Sequence, residues 1–199
     1  MGLKDDEKAW ADYLITRAGL LVFSAILLLV AFKVPPLFIL QDVAGELDAD
    51  LSSIASFMEG VEGSSLQGAR YYHFKSSPEV SLHMSARYLS ADSGAGPGSI
   101  TRARGLMTTV YPANSFWVNR SELLEEIANR CGGRTGIGED LLLESDMAAV
   151  EEMLGQVEAE RAEEPFIPDT RQPLVVEKVV VYYDGTDGIE RRGITIVYQ

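Results

Sequence analysis

One cysteine and two histidines are all the soft ligands the chain offers in 199 residues. With Cys131 alone, no intramolecular disulfide can form, so any domain here must be held by packing. Cys131 falls on the apolar face of an expected helix and reads as a small core residue rather than a nucleophile. His73 and His83 have no third ligand beside them, which leaves metal ligation without its ligand set. Basic residues are scarce as well. The net charge is −13, and between Gln41 and Ala69 there are six acidic residues and no basic one. Residues 119–165 hold thirteen acidic residues against four basic, a surface that repels nucleic acid and excludes it as a partner. No Ser-centred nucleophile elbow is present. Glu151-Glu152 and Glu163-Glu164 are adjacent pairs, which diverge on a helix. The glycine-rich run from Gly132 to Gly138 follows an expected helix, whereas phosphate cradles follow a strand, so it reads as a helix terminator and turn. The residues thus supply no catalytic constellation, cofactor site or metal site, and the chain is expected not to be an enzyme.

What the chain does have is one long apolar run. Residues 18–32 contain no charge and a single hydroxyl, Ser24. Extended back through Tyr13, Leu14 and Ile15, the run reaches about 20 residues, or about 30 Å of α-helix, the thickness of a bilayer's hydrocarbon core. Arg17 sits about one turn from the end of that span, where a long side chain reaches the headgroups. A transmembrane helix is expected, in contact with membrane lipid. Lys4, Lys8 and Arg17 precede its centre and only Lys33 follows, which puts the N-terminus in the cytoplasm and the rest outside the cell membrane. A cleaved secretory signal would need small residues after the run, but residues 31–40 read AFKVPPLFIL. Myristoylation at Gly2 would need Ser or Thr where Asp6 stands.

The expected layout is a cytoplasmic leader at 1–17, a transmembrane helix and outer interfacial segment at 18–40, and an extracytoplasmic α+β domain at 41–199. Pro35-Pro36 is expected to interrupt the helix. A helical pattern returns over 43–61, with Leu47, Leu51, Ile54, Met58 and Val61 forming an apolar stripe. That stripe suits packing on the domain's own sheet, and it is also the surface on which contact with another chain is expected. Alternation predicts a strand over 80–88, with a shorter strand at 71–75, a third strand at 100–111 and a flexible loop at 90–99. Two helices follow. The first is expected to be capped by Ser121, with Leu124, Ile127, Ala128 and Cys131 on one face. The second is expected to be capped by Ser145, with Met147, Val150, Leu154 and Val157. A hairpin of strands 174–183 and 189–198 closes the chain. The sum is an antiparallel sheet covered by helices. Asn119-Arg120-Ser121 is a glycosylation sequon on the expected outer side.

The plan resembles archaeal type IV pilin-like proteins, in which a short leader precedes an apolar helix whose outer half packs on an extracellular domain. Arg17-Ala18 matches the basic-then-small end of such leaders, so the resemblance implies cleavage between Ala18 and Gly19. It also implies a kink at Pro35-Pro36. Gly19 and Phe23 depart from the family's usual start and glutamate. The expected function is non-catalytic: assembly or protein–protein contacts with other membrane or extracytoplasmic subunits, copies of itself included. The alternatives are a membrane-tethered ligand-binding or sensory domain, and an anchored hydrolase with His83 as general base. Intact-mass measurement of the membrane-extracted protein should separate the two membrane readings. A chain starting at Gly19 indicates pilin-like processing, and one starting near Met1 a permanent anchor.

Overall fold

The computed structural model describes residues 3–75, 80–94 and 99–199. The chain divides into two units, Met1–Val43 and Ala44–Gln199. One helix, α1 (Leu3–Glu62), supplies nearly all the described structure of the first unit and opens the second.

In the first unit, the 18 residues Tyr13–Val30 form a stretch of mean hydropathy 2.2 with none of it buried by the chain. It is long and apolar enough to cross a membrane. At its start Trp10 meets Tyr13 edge-on at 6.1 Å, and the Arg17 guanidinium lies 5.2 Å from the Tyr13 ring centre. The expected interruption at Pro35-Pro36 is absent, because the backbone stays helical through both residues. Both prolines forfeit an amide donor, and the helix continues through them at that cost.

The second unit is α+β. Its strands are β1 (Gly68–Tyr72), β2 (Val80–Met84), β3 (Tyr88–Ser93), β4 (Ile100–Gly105), β5 (Tyr111–Pro112), β6 (Leu142–Leu143), β7 (Leu174–Gly185) and β8 (Gly188–Tyr198). Helices α2 (Arg120–Arg130) and α3 (Glu144–Glu163) lie between β5 and β7 in sequence. The expected single antiparallel sheet is in fact two sheets. One is ordered β1-β7-β8-β5 with β6 also on β7, and the other is the meander β2-β3-β4. The pairs β5·β8 and β6·β7 are parallel, so the larger sheet is mixed.

Strand β7 explains the arrangement. Its register sets Glu177, Val179 and Val181 on one face with Ile196, Ile194 and Arg192 of β8. Val176, Lys178 and Val180 share the other face with Val197, Thr195 and Gly193. The first face packs on α2 and α3, where Val179, Val181 and Ile194 join Trp117, Leu123, Ile127, Met153 and Leu154 in one buried cluster. The second face meets α1, whose Glu62 is held by Lys178 and Thr195. Burial on both faces is why 174–183 reads as a nearly unbroken apolar run.

The α1 stripe Leu47, Leu51, Ile54, Met58 and Val61 is at most 2% exposed. It lies inside the unit, with Leu47, Leu51 and Ile54 facing Leu82 and Ala91 of the meander. Tyr72 joins α1 to the larger sheet, its hydroxyl donating to Ser53 Oγ at 3.1 Å and its ring 5.3 Å from Phe57. On the meander side, Arg104 donates to Ser52 Oγ at 2.8 Å.

Several boundaries differ from expectation for local reasons. The alternation of 80–88 passes through a turn, because Ser85 Oγ accepts from the Arg87 and Tyr88 amides and folds the chain back at Ser85. The expected loop 90–99 is strand as far as Ser93, and residues 95–98 lie outside the described set. The expected strand 100–111 is β4 and β5, which belong to different sheets. Asn119, not Ser121, caps α2: its Oδ1 accepts from the Ser121 and Glu122 amides. Leu123 is the buried residue of that turn, while Leu124 is only partly covered. At α3, Ser145 lies inside the helix, and Asp146 instead accepts from the Leu143 amide at 2.8 Å.

Substituting Ile54→Ala should destabilise the second unit by about 2–5 kcal/mol. Ile54→Glu, which puts an unpaired charge in the same place, should abolish cooperative folding. Urea denaturation followed through the buried Trp117 checks both, and a wild-type midpoint for Ile54→Glu would disprove this role of the stripe.

Candidate functional site

Polar side chains with chemical potential gather at three places in the second unit. The first is the outer face of the meander. His83 Nε2 lies 3.1 Å from Asp92 Oδ2 and 3.3 Å from Ser81 Oγ, and Thr101 donates to Asp92 Oδ1 at 2.5 Å. Register puts Ser81 opposite Asp92 and Asp92 opposite Thr101, so this is a cross-strand ladder. A serine and an aspartate are both within reach of the imidazole, yet both approach the same nitrogen. A relay that activates a hydroxyl needs the carboxylate on one ring nitrogen and the hydroxyl on the other. His83 lies in β2 as the expected strand 80–88 implies, whereas His73, expected within the strand 71–75, is exposed just beyond the end of β1.

The second place is the loop 132–143. Gly133 N–H returns to Ala128 O at 2.7 Å and closes α2 as a terminator. Gly136, at φ +73°, comes so close to β7 that an added Cβ would lie 2.9 Å from Val181 Cβ. Its carbonyl accepts from the Tyr182 amide at 2.8 Å. Arg134 grips Asp146 through two bonds of 2.9 and 3.1 Å, and its guanidinium holds the Asp146 carboxyl below the usual range. Gly136 thus docks the loop on β7 and Arg134 docks it on α3. Cys131 closes α2 at 1% exposure, and burial pushes its thiol up, away from the thiolate form a nucleophile needs.

The third place is Glu177, a carboxylate only 5% exposed on β7. It accepts from Arg120 at 3.2 Å and from the Tyr198 hydroxyl at 2.8 Å. Burial first, and then the bond to Glu177, push the Tyr198 hydroxyl up to about 12. Glu177 and its neighbour Lys178 were missed by pattern reasoning. The available signal was a charged pair interrupting the run Leu174 to Tyr183.

Among the described residues, no three His, Cys, Asp or Glu side chains converge as a metal site. The amide of Asn119 is committed at both ends, with Oδ1 capping α2 and Nδ2 donating to Glu122 at 3.0 Å. A glycan there would displace that bond. Ala18 and Gly19 lie within α1, inside the apolar stretch. Compared with family models, curated proteins and solved structures, the chain matches none.

Because the Tyr198 pKa is raised on folding, its neutral form contributes stability that is complete below about pH 10, the ordinary tyrosine value, and is lost as pH climbs towards about 12. Tyr198→Phe should therefore show a shallower fall in urea midpoint between pH 9 and 11 than the wild type. At pH 8 it should cost about 1–3 kcal/mol, because buried Glu177 loses a donor. Parallel pH dependences in the two proteins would refute the assignment.

Proposed function

We propose that the chain is a single-pass membrane protein with a cytoplasmic N-terminus and a non-catalytic extracytoplasmic domain that makes protein–protein contacts in a larger membrane assembly. The observation that carries the reading is the stretch Tyr13–Val30, an apolar helix none of which the chain covers. Side chains such as Leu21 (71% exposed) and Ile15 (70%) would present a continuous apolar surface to water, a liability that lipid removes. Orientation rests on the three basic residues before the span's centre against Lys33 after it. The pilin-like form of this reading rests on Arg17-Ala18 and on a helix that leads from the apolar span into a domain.

The α1 stripe is consumed by the domain's own core, so partner contacts fall elsewhere. Met107 (91% exposed) and Leu66 (71%) are the most exposed large apolar side chains of the second unit. A tethered small-molecule sensor finds less support: the apolar cavity between α1 and the meander has a volume of about 10 Å³, no more than one water's worth.

Alkaline carbonate washing should leave the protein in the membrane pellet, and protease added to intact cells should remove residues 44–199. A photo-crosslinking amino acid at position 107 should give higher-mass adducts in membranes. Release by carbonate would sink the anchor, and an absence of adducts would sink the contact role.

A further inference from the structure

Where α1 ends against β7 and β8, a cleft of about 130 Å³ opens, lined by Glu62, Ser64, Ser65, Lys178, Arg191 and Gly193. Two cations face it in a chain where acidic residues outnumber basic ones by 30 to 17. Its one carboxylate is already engaged. Glu62 accepts from the Thr195 hydroxyl through Oε2, while Oε1 lies 3.9 Å from Lys178 Nζ. Lys178 donates to the Glu62 and Ser64 carbonyls, which leaves one of its three donors. Arg70, on the same sheet face, donates to Ser64 Oγ at 3.3 Å and adds a third cation to the margin.

Arg191 is the cleft's uncommitted cation. Arg87, Arg102, Arg120, Arg130, Arg134, Arg161 and Arg192 each hold a carboxylate. Arg191, like Arg17, Arg70, Arg104 and Arg171, has no carboxylate partner among the described residues, and of these five it is the one that lines the cleft. The floor is unusual. Gly193 occupies a strand interior, where glycine weakens pairing and marks a close approach. A Cβ there would come within 3.0 Å of Lys178 Cε and 3.6 Å of Glu62 Oε1. The glycine thus keeps the Lys178 stem seated and the floor open.

We infer that this cleft binds a carboxylate carried by a partner polypeptide, either an Asp or Glu side chain or a chain terminus. The Arg191 fork suits a carboxylate bidentately, with the remaining Lys178 donor and the Ser65 hydroxyl completing the shell. The cleft is roomy enough for a carboxylate and its methylene. An anionic membrane surface is a poor occupant, since the chain's charge of −13 opposes it as a whole, whereas a short acidic segment meets only the cleft. The inference rests on the contact role proposed above and gives that role a ligand chemistry.

The test uses the full chain in neutral maltoside micelles at low salt and a fluorescein-labelled hexaglutamate peptide read by anisotropy. Saturable binding is expected, weakened about tenfold or more by Arg191→Ala, while Arg171→Ala (outside the cleft) stays within twofold and hexaglutamine fails to bind. Arg191→Ala should unfold at the wild-type temperature, since its guanidinium holds no carboxylate. No binding, or equal binding by Arg191→Ala, overturns the inference. So does Arg191-dependent binding to phosphatidylglycerol vesicles in preference to the peptide. Peptide failure with the position-107 adducts intact removes the cleft alone, and loss of the adducts with peptide binding intact removes the contact role instead.

Discussion

Two-sided burial of β7 is the constraint on which the second unit depends. A strand with helices on both faces must be apolar at nearly every position, and 174–183 meets that demand except at Glu177 and Lys178. Those two exceptions point to opposite faces, and each is satisfied there. Glu177 is held by Arg120 and Tyr198, and Lys178 by the carbonyls at the end of α1. A buried charge left without such partners would cost several kcal/mol, so each pair also fixes which helix lies on which face.

From that strand the remaining packing follows. Helix α1 meets the larger sheet through Ser53, Phe57 and Glu62, while Leu47, Leu51 and Ile54 of its stripe face Leu82 and Ala91 of the meander. On the opposite face, α2 and α3 share a single cluster that includes Trp117. With no disulfide available, burial holds the unit together, and a few polar ties fix its segments in place: Arg134 with Asp146, Tyr182 with Gly136, and Phe166 with Met84.

Much of this was legible in residue order. The apolar span, the helical stripe after it, the helices near 120–130 and 144–163 and the terminal hairpin all come from periods of 3.6 or 2 that short-range geometry imposes. Boundaries were read less well where a single side chain overrides a pattern. Ser85 turns the chain inside an apparently continuous alternation, and Asn119 takes the cap that Ser121 was expected to supply. At the proline pair 35–36 the helix continues although two amide donors are lost, against the local rule.

By itself the sequence determined that the chain has one stretch apolar and long enough for a bilayer, an acidic exterior, no disulfide and an α+β second unit. Each follows from composition or from nearest-neighbour periodicity. Only the tertiary structure decided that the strands split into two sheets, that the α1 stripe is core rather than a docking face, and that Lys178, Arg191 and Gly193 gather at one cleft. These depend on which distant segments pair. The free energy of such pairing comes from long-range burial, which local periodicity does not encode.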